Sequence, residues 1–299
     1  MISLLIRLVF SLRFSLFLAS IIGVASANAN ESEVRIAVSD LLANAIADPL
    51  VALAEERSIN LSVDAIGSLP AIDYLHSGKI DLAIVVASET VDLPGGDFQT
   101  CPFAFDIALV VVNEANPITE ISLSSLNAIF SVNNDVDFNT WGDLKIQSLG
   151  NRAIKPLAGQ NDATISLELF KFIVLDGEQM KVTVSEVKAS EAEKLIAYDT
   201  ASIGILPYVP ENEKVKVLMI STDPDSPAFG PTNDNVYYGD YPIRLPFQIL
   251  YNKNDLGKLK DTLRLLLSNE MADVLLANNL YVTPVAARRK LMLDLNLTD

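Results

Sequence analysis

Short apolar runs rich in β-branched residues alternate along the chain with stretches whose apolar positions recur at helical spacing. Val34–Val38 (VRIAV) predicts a strand. Ser39 and Asp40 follow at once, and either can cap a helix that begins at Leu41. Pro49 lies too deep for a first turn, so the pattern predicts a break there, with Asp48 capping a second helix over residues 49–57. Residues 60–65 alternate as a strand closed by Gly67-Ser68, and residues 70–77 form a helical segment stopped by Gly78. Residues 80–86 are a third strand, ending at Ala87-Ser88. Strand, small polar turn and helix in that recurring order predict a parallel sheet with its loops gathered at the carboxyl edge.

The second half repeats the pattern. Residues 107–112 are a continuous apolar run too short for a helix, hence a buried strand, and Asn113 to Pro117 is turn chemistry. Ser122 offers an N-cap for Leu123, Leu126, Ile129 and Phe130. Trp141 to Leu144 is a turn and anchor in which Trp141 packs, with ligand stacking as its other open role. Strands are expected at 153–157, 203–206 and 215–220. Helices are expected at 165–174 and 188–198, with an amphipathic stretch over 255–277, and 158–164 reads as a polar loop. Residues 221–235, rich in Pro, Asp, Gly and Asn, are the longest loop-like stretch, either a solvated surface loop or a lip over a cleft.

Length and composition narrow the class. The chain has 299 residues, half of them apolar, enough for one large or two medium cores. Arg7 and Arg13, the apolar run 14–24 and Ala27-Asn28-Ala29 read as a signal peptide cleaved after Ala29. The other reading, a retained anchor, is opposed by an apolar core shorter than the ~20 residues that span a bilayer. No cysteine lies near the cleavage site to carry a lipid. Removal of the two arginines takes the formal charge from −16 to −18, which excludes nucleic acid and anionic lipid as partners of the general surface. Cys101 is the only cysteine and His76 the only histidine, so neither an internal disulfide nor a zinc site of Cys/His type can form. Cys101 reads as a packed small hydrophobe rather than a reactive thiol. With neither a nucleophile elbow nor a Ser-His or Cys-His set, the chain is not expected to be an enzyme, and no cofactor or catalytic metal is expected.

Several segments together resemble the phosphate-type periplasmic solute-binding proteins. These are Val112-Asn113 with Asn116-Pro117, the helix Leu126 to Phe130 (LNAIF) and Trp141; the turn Val38 to Leu42; and the block Gly67 to Ala83. Ser202 to Pro207 (SIGILP), Tyr241 to Tyr251 (YPIRLPFQILY) and Tyr281 to Val285 complete the likeness, which covers nearly all of the chain beyond the leader. The resemblance implies a type 2 periplasmic-binding-protein fold: two α/β lobes, each a mixed, mainly parallel sheet flanked by helices, joined by two crossover strands. Lobe 1 is expected over 30–111 and 240–299, lobe 2 over 112–239.

It also implies ligand residues at loop ends: Ser39, Asp40, Ser68 and Ser88 from lobe 1, and Gln160, Thr164 and Ser166 from lobe 2. In the family block GRxxGSGTRxxF, Gln160 takes the first arginine's place and Leu167 the second's; Ala163 and Ile165 replace both glycines, while Thr164 and Ser166 keep the hydroxyls. The strand that often ends in a polar pair here ends Val85-Val86-Ala87, with Ser88 next. Each lost arginine removes a charge-assisted hydrogen bond of roughly 1.5–3 kcal/mol, and Asp40, Glu89 and Asp162 crowd the same loops. Arg244 reads as an ion-pair partner for a carboxylate, or else as a replacement donor. Two functions stand. One is a monomeric, exported receptor that delivers a phosphate-like oxyanion to an ABC permease. The other is a repurposed lobe pair with a non-phosphate ligand, acting as a sensor or interaction module.

Overall fold

The computed structural model describes residues 33–87, 93–132, 136–161 and 164–297. The residues of the expected leader, Arg7, Arg13 and Ala27 to Ala29, lie outside them, as do Ser88, Glu89, Asp162 and Ala163. In chain order, β1 (Val34–Val38), α1 (Asp40–Glu56), β2 (Leu61–Ala65), α2 (Ser68–His76) and β3 (Leu82–Val86) lead into β4 (Phe98–Ile107). There follow β5 (Leu109–Asn113), β6 (Glu120–Ser122), α3 (Leu123–Phe130), β7 (Lys155–Gln160), α4 (Ser166–Leu175), β8 (Ser185–Lys188), α5 (Ala189–Tyr198) and β9 (Ser202–Leu206). The chain closes with β10 (Val215–Val217), β11 (Met219–Ser221), α6 (Asn233–Tyr238), β12 (Arg244–Asn252), α7 (Leu256–Leu266), α8 (Asn269–Ala277), β13 (Tyr281–Val282) and α9 (Val285–Asp294).

Two main sheets result. The first has the order β13-β4-β12-β3-β1-β2 and the second β10-β5-β9-β7-β8, while β6 and β11 form a small separate pair. Within the two main sheets parallel pairing is confined to β2-β1-β3 and β8-β7-β9, and the small β6-β11 pair is parallel as well. The strands that carry the chain between sheets, β4, β5 and β12, run antiparallel to their neighbours, so the mixture is more even than a mainly parallel pair of sheets. Each parallel trio aims its carboxyl ends at helix N-termini: α1 and α2 from the first sheet, α4 and α5 from the second.

The apolar run at 107–112 is not one strand. β4 ends at Ile107, Ala108 belongs to neither strand, and β5 pairs with β9 and β10 from Leu109 onward. The crossover therefore lies at Ala108, ahead of the expected lobe boundary at Val112. Tyr241 fixes this corner from the returning chain: its buried hydroxyl donates to the Ala108 carbonyl at 2.7 Å, while the Ala108 N–H donates to Ile243. The strand expected at 215–220 is likewise divided at Leu218, into β10 and β11. The helical stretch 255–277 divides at Ser268, whose side chain caps α8 by accepting from the Met271 N–H.

Helix α1 runs through Pro49 without the predicted break. Proline at this position leaves the carbonyl of Ala45 without its helical donor. The Asn278 side chain, at the end of α8, donates to that carbonyl at 3.4 Å, and burial of Leu42, Ile46 and Leu50 holds the helix against the sheet. Tertiary packing overrides the local signal.

The β7 strand extends through Ala158, Gly159 and Gln160, which the polar composition had suggested as a loop. It lies between β8 and β9, and at Gly159 a Cβ would stand 2.7 Å from the Ile205 carbonyl and 3.0 Å from the Ala189 Cα. Glycine is there for close approach of backbones, not for flexibility. Trp141 is fully buried and donates its indole N–H to Ala201 at 3.0 Å, which is the packing role expected of it. Cys101 is buried too, and burial pushes its thiol up to about 11, as suits a packed hydrophobe.

The stretch 221–235 is pinned rather than open. Ile220 and Phe229 exchange backbone hydrogen bonds, and Thr232 caps α6. Pro224 lines a groove of about 590 Å³ beside α3 together with Leu123, Asn127, Phe138 and Val174.

Candidate oxyanion cleft

The first cluster forms where β1 and β3 end. The Ser39 N–H donates to the Ile84 carbonyl at 2.8 Å, and its own carbonyl accepts from Leu42 and Ala43, so its backbone is committed to the sheet and to α1. Its side chain is not. Ser39 occupies the N-cap position of α1 but makes no capping hydrogen bond; it is 1% exposed, and its Oγ has no hydrogen-bond partner among the described residues. A buried hydroxyl left unsatisfied costs about 1–3 kcal/mol, which makes it a site in want of a ligand atom. Asp40, the next residue, is exposed and opens the first turn of α1.

Ser68 joins this cluster from α2. Its Oγ accepts the Val86 N–H at 3.0 Å, tying the start of α2 to the end of β3 and leaving the hydroxyl hydrogen free to point elsewhere. Gly67, with φ of +78°, supplies the left-handed turn that this placement requires, and a Cβ on it would lie 3.7 Å from Asp40 Oδ1. The structure therefore brings Ser39, Asp40 and Ser68 to one edge of the first sheet.

The second cluster is the N-terminus of α4. Thr164 Oγ1 and Ser166 Oγ lie 3.1 Å apart, and Ser166 is buried. The first-turn amides of any helix have no acceptor within the helix and carry partial positive charge. Gln160 belongs to the same strand end, but its amide donates to Glu186 of β8 at 2.6 Å and is thus engaged with a neighbouring strand.

One residue of this region was not singled out from the sequence. Asp106, near the end of β4, is 3% exposed, accepts the Ile107 N–H at 2.8 Å and faces the Ile165 N–H at the α4 cap at 3.4 Å. Burial pushes its carboxyl up to about 6, against the lowering effect of those two amides. It ties the first sheet to the helix of the second. The signal was a lone acid inside the apolar run FAFDIALVVV.

Arg244 is engaged by backbone carbonyls rather than by a carboxylate. Its guanidinium donates to the Val236 and Tyr237 carbonyls at 2.6 and 3.1 Å, at the C-terminal end of α6, and lies over the Phe105 ring. It terminates a helix. The Asn residues of the recognisable motif are structural as well. Asn113 donates to the Ile196 and Ala197 carbonyls near the end of α5, and Asn116 to the Thr200 carbonyl. Among the described residues no group of His, Cys, Asp and Glu could hold a metal ion.

Two α/β sheets with helix N-termini at their carboxyl edges, joined through paired crossover strands, are the plan of a two-lobe solute-binding protein. The family model for the PBP superfamily domain matches residues 23–270, and the chain belongs to that superfamily. Among curated proteins it is 28% identical over 214 residues to Protein SphX of Synechococcus elongatus, covering 65% of this chain and 62% of that one. It is 25% identical over 258 residues to the phosphate-binding protein PstS of Pseudomonas aeruginosa, covering 80% of this chain and 79% of that one. In structure it resembles PstS from Borrelia burgdorferi (TM-score 0.66, 15% identity, 84% of this chain and 98% of that one). It also resembles a possible phosphate-binding protein from Planctomyces limnophilus (TM-score 0.65, 17% identity, 89% and 99%). The resemblance to the phosphate-type family and the two-lobe fold are thereby borne out. No helix among the described residues is long and apolar enough to cross a membrane.

Proposed function

We propose that the chain is an exported receptor that takes a small oxyanion of the phosphate class between its lobes and presents it to an ABC importer. The observation that carries this reading is Ser39: a buried, unpartnered hydroxyl at the start of α1, in a family whose curated members here include phosphate-binding proteins. Ser68, Thr164 and Ser166 supply further hydroxyls, and the N-termini of α1, α2 and α4 supply the positive potential that an acidic protein must create locally. Closure of the two lobes about the crossover strands is the working motion. Asp40 and Gln160 line the approach, and Ser88 is kept as a candidate from the sequence alone.

One observation favours the alternative, a repurposed lobe pair with another ligand. Gln160, which stands where the family has an arginine, is hydrogen-bonded to Glu186. The two readings part in a thermal-melt and calorimetry screen of the protein lacking its leader against phosphate, sulfate, molybdate, phosphonates and neutral solutes. A ligand of the folded state at a hundredfold excess over its dissociation constant adds about 2.7 kcal/mol of stability, which such a screen detects. The Ser39→Ala protein is expected to melt at the same temperature as the parent or above it, because an unsatisfied hydroxyl is removed. Its phosphate affinity is expected to fall by about tenfold or more, the worth of a hydrogen bond to a charged ligand. Undiminished affinity would take Ser39 out of the site, and a neutral solute as the sole ligand would favour the repurposed reading.

A further inference from the structure

The N-terminus of α4 is not an empty cradle, because a carboxylate of the chain already stands at it. Asp106 Oδ1 takes its own neighbour's N–H, from Ile107 at 2.8 Å, and Oδ2 faces the Ile165 N–H at the α4 cap. The group is buried and pairs with no cation among the described residues. On β12 the residue opposite is Leu245, and Arg244 beside it is committed to the carbonyls of Val236 and Tyr237. On α4, Glu168 and Lys171 pair with each other; β13 contributes Tyr281, α6 contributes Asp234, Tyr237 and Tyr238, and Asp240 follows α6. Among the described residues none of these pairs with Asp106.

A buried carboxylate whose partners among the described residues are two amides, one of them at a helix cap, is held as an external oxyanion would be. Thr164 and Ser166, the hydroxyls that would bind such an anion, flank the same Ile165 amide. Resting on the reading of α4 as an oxyanion cradle, we propose that Asp106 is the resident anion of that cradle, and that an incoming oxyanion displaces it with uptake of one proton from solvent onto the Asp106 carboxyl. The proton goes to an Asp106 oxygen, the Ile165 N–H passes to the ligand, and the total charge in the cradle stays that of a single anion. Protonation is within reach of mildly acidic conditions, since burial pushes this carboxyl up to about 6. Above that value each pH unit lowers apparent affinity about tenfold, and below it the dependence vanishes.

The test is calorimetric titration of the leaderless protein and its Asp106→Asn variant at about pH 5.5, 7 and 8. The probes are inorganic phosphate and sulfate, the latter keeping one charge throughout. Each titration runs in two buffers of different ionisation heat, so that proton uptake is read directly and, for the parent protein, without any variant. The parent is expected to take up close to one proton more than the variant at about pH 8, where the variant binds the same probe about tenfold to a hundredfold tighter. Equal proton uptake and equal pH slopes in the two proteins would overturn the inference and leave the oxyanion receptor standing. Binding of neither probe by either protein at any pH would remove the receptor reading and this inference with it. A purely structural role for Asp106 would change melting temperature but leave the proton count unmoved.

Discussion

Replacing Trp141 with alanine is expected to lower the free energy of unfolding by about 3–5 kcal/mol, the usual loss when a large aromatic leaves a packed core. The indole is fully buried in the second sheet's core, and its N–H holds the Ala201 carbonyl just ahead of β9. Its backbone also binds Arg152 and Ile146, so this one residue organises the turn that precedes β7. Trp141→Phe keeps most of the volume but leaves the Ala201 carbonyl without its donor, and roughly 1–3 kcal/mol of loss is expected. Equilibrium unfolding in denaturant measures both. An alanine variant within about 1 kcal/mol of the parent would refute the anchoring role.

The second large effect is a stability difference that depends on pH. In the native state the Asp106 carboxyl is pushed up to about 6 by burial, whereas an ordinary aspartate in an unfolded chain titrates near ~3.9. Between those values the folded chain holds a proton that the unfolded chain has released. Stability from this group is therefore full below the lower value, is lost as pH rises through the upper one, and stays lost beyond it. Asparagine has no charge to bury. The Asp106→Asn protein is expected to match its parent near about pH 4 and to exceed it by roughly 1–3 kcal/mol at about pH 8. Asp81 and Asp199 act in the opposite sense. Asp81 is held low by Arg35 and Lys258 against the effect of burial, and Asp199 by Lys155, so both lose their contribution as pH falls. Both are common to the two proteins and cancel in the difference. Melting curves of the pair across this range decide it: a gap that stays constant with pH, or a variant less stable at about pH 8, would contradict the assignment.

These residues show why the fold could be read from the chain and the site only in part. The segments that carry the family likeness do structural work with local signals. Asn113 and Asn116 bind the carbonyls around the end of α5, Ser122 caps α3, and Trp141 fills the core. Such roles survive a change of ligand, so the likeness persists in them. The misreadings arose where a distant partner decides. Asn278 answers the carbonyl that Pro49 leaves open, and the closeness of Ile205 and Ala189 keeps Gly159 in a strand. The α6 carbonyls claim Arg244.

The binding residues depend even more on such partners. That Ser39 would be buried without a hydrogen bond, and that Gln160 would turn to Glu186, follow from sheet register rather than from local sequence. Asp106 was visible as an acid in an apolar run, but its meeting with the cap of α4 needed the second sheet in place.

The measurement that bears most directly on the receptor reading is an amide-resolved NMR titration of the protein from residue 30 onward with inorganic phosphate at about pH 5.5. The account predicts that the largest shifts fall on the amides of Ser39 to Leu41, Ser68 and Leu69, and Ile165 to Leu167, all saturating with one dissociation constant. Shifts confined to exposed lysines, or none at these helix starts at millimolar phosphate, would contradict it.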